Sequence, residues 1–171
     1  AHELQLPLIS IIDTPGAELS QHAEENAMAG SIARTLGELV DVDVPTVSII
    51  LGQGCGGGAL AMLPSDRVLA AENAWLSPLP PEGASAIIYR DTSHAPRMME
   101  EQRVSARALV SAGIVDDIIP EKGDAAAEPE EFVRRTMSYI EHTIKELETS
   151  PQRVGREQRF QHYESLAKRL I

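Results

Sequence analysis

Glycine residues cluster at one place in the sequence, directly after an apolar run. Five glycines fall within residues 52–58, and the run over residues 46–50 is typical of a buried strand. Residues 59–63 have helix-forming composition. A strand, a glycine turn and a helix leave main-chain N–H groups unpaired at the positive end of a helix dipole. The pattern therefore predicts stabilisation of an oxyanion or enolate by main-chain donors.

Residues near this turn also have ordinary structural explanations. The glycines could serve only the close packing of a helix on a strand. Cys55 could be a reactive thiol, but a small residue among glycines is more often packed. Asp13 could be a general base, although an aspartate before Thr-Pro-Gly more often accepts main-chain N–H groups. His22 and His94 have no matched nucleophile, and no histidine has the spacing of a metal ligand.

The elements around the turn alternate between strand and helix. Residues 8–12 predict a strand covered on both faces, and residues 22–40 have the spacing of one helix. Further strands are predicted over residues 66–70, 74–77 and 114–119, and helices over 84–89 and 103–112, the last closed by Gly113. This alternation predicts an α/β domain with a largely parallel sheet. The turns around Gly16 and Gly57 both follow the carboxyl end of a strand and could face one pocket.

The composition changes after an acidic connector at residues 122–129. We therefore divide the chain into a core over residues 1–122 and a helical extension over residues 123–171. Residues 130–148 and 151–171 each predict a helix. The last helix is locally basic, through Arg153, Arg156, Arg159, Lys168 and Arg169. This charge favours a solvated face over docking against an acidic partner.

Composition and charge exclude several classes of protein. The chain has 171 residues, 43% of them hydrophobic, which is ordinary for one globular domain. A formal net charge of −11 argues against nucleic acid as the main ligand. The single cysteine excludes a disulfide framework and a multi-cysteine zinc site. Without an apolar run of about 18 residues or a signal peptide, we expect a cytoplasmic protein that does not enter membranes.

The motifs taken together resemble one enzyme family. They are residues 13–17 (Asp-Thr-Pro-Gly-Ala), 52–61 (Gly-Gln-Gly-Cys-Gly-Gly-Gly-Ala-Leu-Ala), 66–68 (Asp-Arg-Val), 77–83 (Ser-Pro-Leu-Pro-Pro-Glu-Gly) and 106–120. In this order they resemble the carboxyltransferase α subunit of bacterial acetyl-CoA carboxylase, or the matching C-terminal half of a fused β/α carboxyltransferase. The resemblance covers the whole chain. It implies a crotonase-type β-β-α superhelix, an α/β fold that is incomplete here at its N-terminus and is followed by C-terminal helices.

The resemblance also implies a reaction. In it, a carboxyl group passes from carboxybiotin, held by a separate biotin carboxyl carrier protein, to acetyl-CoA or a related acyl-CoA. The product is malonyl-CoA or its homologue, and no metal is needed in this chain. The family chemistry needs no protein nucleophile, because the biotin nitrogen released on loss of CO₂ can take the α-proton of the thioester. The lack of a catalytic triad in this sequence is therefore expected.

The resemblance assigns site residues by matching positions. Gly57 and Gly58 match the oxyanion-hole glycines of the family, whose N–H groups are thought to face the ureido oxygen of biotin. Gly16 and Ala17 match the loop beside that hole. A segment near the pocket, at the start of a helix, is matched by Glu82 and Gly83. The sequence departs from the relatives at Gln53, where they have Glu, and at Cys55 and Gly56, where they have Gly-Ser.

The resemblance implies partners, and it leaves two alternatives open. A β-type half would supply most of the acyl-CoA site, so we expect a hetero-oligomer of α/β pairs and a chain that is a fragment unable to carboxylate alone. The first alternative is another crotonase-superfamily enzyme, such as a hydratase, isomerase or decarboxylase. A hydratase would be expected to have a carboxylate where this chain has Ala59 and Leu60. The second alternative is a non-catalytic scaffold subunit.

Overall fold

The computed structural model describes residues 1–18, 20–150 and 154–170. Its strands are β1 (Leu8–Thr14), β2 (Thr46–Cys55), β3 (Arg67–Ala71), β4 (Trp75–Ser77) and β5 (Asp117–Ile119). Its helices are α1 (Gln21–Glu25), α2 (Met28–Asp41), α3 (Gly56–Met62), α4 (Pro81–Tyr89), α5 (Ala95–Gln102), α6 (Ala106–Ala112), α7 (Pro129–Thr149) and α8 (Arg156–Leu170). Short 3₁₀ turns lie at His2–Leu4 and Ala125–Ala127. None of the helices in the described ranges is long and apolar enough to cross a membrane.

The sheet is parallel, as the alternation of elements predicts. Its strand order is β1-β2-β3-β5, and β4 pairs with the carboxyl end of β2 beyond the end of β3. Each of the four strand pairs is parallel. The carboxyl ends of neighbouring parallel strands share one edge of a sheet, so the loops after β1, β2 and β4 emerge together.

The core lies on β2 and β3. Val47, Ile49, Ile50 and Leu69 are each no more than 2% exposed, because these strands are covered on both faces. Burying side chains of this size stabilises the fold by about 1.5–3 kcal/mol each. Helix α7 contributes Phe132, Ile140 and Leu147 to the same cluster. The division into a core over 1–122 and an extension over 123–171 stays a prediction.

The single helix predicted over residues 22–40 is wrong, because the chain forms two helices there. Ser20 caps α1 by accepting the N–H of Ala23 at 3.1 Å. At the other end of α1, the Asn26 amide donates to the carbonyl of His22 at 2.7 Å. Ala27 then takes a left-handed conformation (φ +56°) and α2 starts anew. Helical periodicity continues across this break, so spacing alone does not reveal it.

The prediction that β1 is covered on both faces is also wrong. Ile9 is 39% exposed and Ile11 is 59% exposed, whereas Ser10 and Ile12 are buried. Successive side chains of a strand point to opposite faces, and β1 is the edge strand of the order above. One face of β1 therefore packs on the core and the other faces outward.

Several predicted boundaries move in the structure. Helix α6 begins at Ala106 and not at residue 103, because Arg103 is left-handed (φ +55°) and ends α5. Gly113 closes α6 with φ +76°, as predicted. Strand β2 continues past Ile50 to Cys55, whereas β5 is shorter than residues 114–119. Within the last predicted helix, residues 151–153 and 171 lie outside the described residues. Arg153 of the basic set is therefore not described.

The predicted solvated face of the last helix is wrong for Arg159. Its side chain is buried and pairs with the buried carboxylate of Asp66 at 2.8 Å. The guanidinium also donates to the carbonyls of Val40 and Val42. By contrast, Arg156 is exposed and pairs with a surface carboxylate. The buried arginine fastens α8 to the start of β2, because a buried charge is tolerated only when it is paired and fully hydrogen-bonded.

Candidate active site at the carboxyl edge of the sheet

The two glycine turns predicted from the sequence meet in the structure. A Cβ built on Gly58 would lie 3.5 Å from the main-chain nitrogen of Ala17 and 3.7 Å from the carbonyl carbon of Gly16. All three residues are half-buried, so a ligand can reach them. The missing side chain of Gly58 therefore leaves a gap of about one methyl group between the turns.

The first turn owes its shape to Gly16 and Thr14. Gly16 has φ +127°, a conformation that side-chain-bearing residues rarely adopt. Its N–H is donated to Oγ1 of Thr14 at 3.2 Å. A Cβ on Gly16 would lie 3.6 Å from the sulfur of Cys55. The turn is therefore closed by a local hydrogen bond and packed against the end of β2.

The second turn passes directly from strand to helix. Gly56 has φ +60° and begins α3 without a linker after β2. Gly57 and Gly58 follow in the first helical turn, where N–H groups have no acceptor within the helix. A Cβ on Gly57 would lie 3.2 Å from Cδ1 of Ile32, so this glycine lets α3 approach α2 closely. Gly57 thus serves packing at its α-carbon and can still offer its N–H.

The third matched segment lies at the same edge of the sheet but further away. Strand β4 pairs with the end of β2, so the carbonyl of Pro78 comes 3.6 Å from the Cβ position of Gly56. Glu82 and Gly83 stand in the first turn of α4, and Glu82 is exposed. A Cβ on Gly83 would meet Leu79 and Pro80, not the glycine turn at residues 56–58. The structure thus brings Gly16 and Ala17 against Gly58, and Glu82 and Gly83 only into the neighbourhood.

Cys55 packs, as the sequence favours. It is 3% exposed, and burial raises the pKa of its thiol. A raised pKa keeps the sulfur protonated and weakly nucleophilic at neutral pH. Cys55 therefore lines the site beside Gly16 as an uncharged side chain.

Asp13 accepts a main-chain N–H, also as the sequence favours. The donor is the main-chain N–H of Gln53 on the neighbouring strand, 3.0 Å from Oδ1 of Asp13, and not a residue of the turn that follows Asp13.

His94 makes its contacts outside these turns. His94 contacts Asp91 at 3.1 Å and stacks on Tyr89 with ring centroids 4.1 Å apart.

A cavity of about 750 Å³ lies against helix α3 and strand β4, and sequence reasoning missed it. Its walls come from α3, β4, α5 and α6, and they include Leu60, Leu76, Pro78 and Val104. Ser77, Gln102 and Arg103 are among its polar lining residues. No local motif marks such a cavity, because its walls come from segments separated in the chain. Its size and mostly apolar character are typical of a small-molecule site.

The chain is similar to several known proteins. The sequence model of the family described as acetyl co-enzyme A carboxylase carboxyltransferase-like matches residues 1–167. The chain belongs to this family. Similarity to individual members of the family agrees with this assignment. The chain is 52% identical over 163 residues to the probable biotin-dependent acyl-coenzyme A carboxylase beta3 subunit of Mycobacterium tuberculosis, covering 95% of this chain and 33% of that one.

A second relative is an α subunit. The acetyl-coenzyme A carboxylase carboxyl transferase subunit alpha of Thermus thermophilus is 36% identical over 161 residues, covering 94% of this chain and 52% of the relative. The chain therefore spans a third to about half of the length of these relatives. Similarity to an acetyl-CoA carboxylase α subunit is what the motifs predicted.

Solved structures of the family fold superpose on the chain. A malonate decarboxylase hetero-dimer from Pseudomonas has a TM-score of 0.69 at 16% identity, covering 96% of this chain and 65% of its own. Transcarboxylase 12S has a TM-score of 0.67 at 24% identity, covering 85% of this chain and 28% of its own. These likenesses confirm the crotonase-type α/β fold that the resemblance implied. Across residues 1–18, 20–150 and 154–170, no group of three or more His, Cys, Asp or Glu residues could hold a metal ion.

Proposed function

We propose that this chain is the carboxybiotin-facing half of the carboxyltransferase of a biotin-dependent acyl-CoA carboxylase. The reaction moves a carboxyl group from carboxybiotin on a carrier protein to acetyl-CoA and gives malonyl-CoA. The observation that carries the proposal is the meeting of the two turns, which leaves a gap between Gly58 and Ala17 beside unpaired helical N–H groups. Family membership of the chain supports it.

The residues around this gap fit the ureido group of biotin. A Cβ on Gly58 would fill the space against Ala17, so glycine there keeps the donors accessible. In this proposal, Gly57 and Gly58 donate their N–H groups to the ureido oxygen, which becomes negative as the carboxyl group leaves. Gly16 and Ala17 form the opposite wall, and Glu82 and Gly83 border the approach.

The chain supplies positioning and charge stabilisation, and the substrates supply the reacting groups. Carboxybiotin supplies the carboxyl group, and its released ureido nitrogen accepts the α-proton of the thioester. Oriented N–H donors lower the cost of the negative charge without moving during the reaction. The neutral Cys55 thiol leaves that field undisturbed, because burial raises its pKa.

The proposal includes partners. A β-type half would provide most of the acyl-CoA site, and pairs of the two halves would form the hetero-oligomer. Relatives of this chain include acetyl-CoA carboxylase α subunits and a biotin-dependent acyl-CoA carboxylase subunit. The protein has an excess of acidic residues, which repel phosphate groups. This supports binding of the CoA phosphates by the partner half. We propose acetyl-CoA as the acyl acceptor and the cytoplasm as the place of action.

The test is carboxyl transfer in the reverse direction. Malonyl-CoA-dependent carboxylation of biocytin should be absent with this chain alone and present after assembly with the β-type half. No transfer by a complex shown to assemble would refute the proposal and favour a scaffold. Loss of CO₂ from malonyl-CoA without carboxylation of biocytin would instead indicate a decarboxylase.

A further inference from the structure

Strand β2 changes its neighbours halfway along its length. Its first half pairs with β3 and its last three residues pair with β4. On the other side, Ile12 of β1 lies opposite Ile50, and two residues later Thr14 lies opposite Gly54. Strand β2 thus advances by four residues where β1 advances by two. Residues 51–53 form a bulge immediately before the oxyanion turn.

The Asp13 carboxylate occupies the inside of this bulge. Its Oδ1 accepts the N–H of Gln53 at 3.0 Å, which replaces a hydrogen bond that the β1–β2 ladder lacks at this point. The same oxygen would be 2.8 Å from a Cβ on Gly52, closer than real Cβ atoms come. Glycine at position 52 is therefore required for the carboxylate to reach the bulge.

This one hydrogen bond joins the bases of both turns of the site. Asp13 starts the turn that leads to Gly16 and Ala17. Gln53 lies a few residues before Gly58 on the second turn. Beyond these bases, a Cβ built on Gly58 would lie 3.5 Å from the main-chain nitrogen of Ala17, so about one methyl group would fit between the two turns. The distance between the turns at their base therefore sets the width of the gap between them.

We infer that Asp13 is a positioning residue of the carboxyltransferase site, which holds the oxyanion turn at its working distance from Ala17. The inference rests on the proposed function. Its carboxylate acts as a hydrogen-bond acceptor for the bulge, so an uncharged acceptor of the same shape would replace it. A general base at the same position would need the charge. The two roles predict opposite results for Asp13→Asn.

The experiment uses the carboxyltransferase assembled from the full-length protein and its β-type half. Asp13→Ala should lower kcat for biocytin carboxylation by about 10- to 100-fold with little change in KM, because small displacements of aligned groups cost rates of this order. Asp13→Asn should keep kcat within a few-fold of the parent. An Asn variant as slow as the Ala variant would overturn the inference in favour of a base. An Ala variant with the parent kcat would overturn it as well.

Asp117 provides a matched control. It is also an exposed aspartate that accepts a main-chain N–H, from Ile118 at 2.8 Å, and it lies on β5 at the opposite end of the sheet. Asp117→Ala should leave kcat unchanged. A loss of kcat equal to that of Asp13→Ala would show a general effect on folding and would overturn the inference.

Gly52 gives a second, independent readout. Gly52→Ala should slow the enzyme by itself, because its Cβ must displace the Asp13 carboxylate. In the Asp13→Ala background the same substitution should add little further loss, since the obstructing oxygen is gone. Additive losses would contradict the coupling of these two residues.

Hydrogen exchange separates this inference from the proposed function. In Asp13→Ala the amides of residues 53–55, which include the Gln53 N–H that Asp13 accepts, should exchange faster than in the parent, and in Asp13→Asn they should not. This readout needs no activity. A parent complex without carboxyl transfer would refute the proposed function, and unchanged exchange in Asp13→Ala would refute the positioning role.

Discussion

Replacing Gly58 by alanine should reduce activity without reducing stability. The added Cβ would lie 3.5 Å from the nitrogen of Ala17 and 3.7 Å from the carbonyl carbon of Gly16. These are ordinary van der Waals distances, so the loop need not move. The methyl group would nevertheless fill the gap in which the ureido oxygen is proposed to bind. The substitution therefore blocks the donors while it preserves the fold.

The two expected effects have opposite signs. Losing one oxyanion donor typically costs about 10²–10³-fold in kcat, or ~2.7–4 kcal/mol of activation free energy. Alanine in place of a helical glycine typically stabilises a protein by about 0.5–1 kcal/mol. We therefore expect Gly58→Ala to be at least as stable as the parent and about 100-fold slower or more.

The assays are urea unfolding and biocytin carboxylation with the β-type half present. Gly37→Ala is the matched control, because its added Cβ on α2 would meet nothing within 4 Å beyond its own turn of the helix. It should gain similar stability and keep the parent kcat. Gly57→Ala should instead disturb packing, since its Cβ would lie 3.2 Å from Ile32. An assembled Gly58→Ala enzyme with the parent kcat would refute the assignment of this turn as the oxyanion site.

Three further predictions concern stability and reactivity. Arg159→Ala leaves the Asp66 carboxylate buried without its counter-ion, so unfolding in urea should show a loss of about 3–5 kcal/mol; a loss below about 1 kcal/mol would show that the pair does not hold α8. Ala27→Gly should raise the free energy of unfolding by up to about 1 kcal/mol, because Ala27 has φ +56°, a left-handed conformation that glycine adopts more easily. The Tm should rise accordingly, and a lower Tm would contradict this. Burial raises the pKa of the Cys55 thiol, so folding stability should fall as the pH rises above about 8.5, the ordinary value. Iodoacetamide should accordingly modify Cys55 much faster in concentrated urea than in the folded protein, and equal rates would show an accessible thiolate.

Local sequence pattern predicted the parallel sheet and most of its elements. The apolar run before Gly52 is buried as a strand, and the glycine after Ala112 takes the left-handed conformation that ends α6. These features depend on side-chain type and on neighbours a few residues away. The same is true of Gly16, whose φ of +127° follows from a Pro-Gly turn.

Other features depend on packing between distant segments, and local pattern predicted them wrongly or not at all. The exposed face of β1 could not be read from its composition, because an apolar run is compatible with one or two covered faces. The burial of Arg159 depends on the carboxylate of Asp66, 93 residues away. The cavity beside Leu60 combines residues from four elements.

The sequence by itself determined which groups the site can offer. A glycine turn entering a helix has unpaired N–H donors whatever surrounds it, and the order of the motifs points to the family. Only the tertiary structure decided where those donors face. Gly58 meets Ala17 where β1 and β2 pair in parallel and shift their register after Ile50, and Asp13 accepts the N–H of Gln53, 40 residues away, at that shift. Register is fixed by the burial of whole strands, and no short stretch of sequence contains that information.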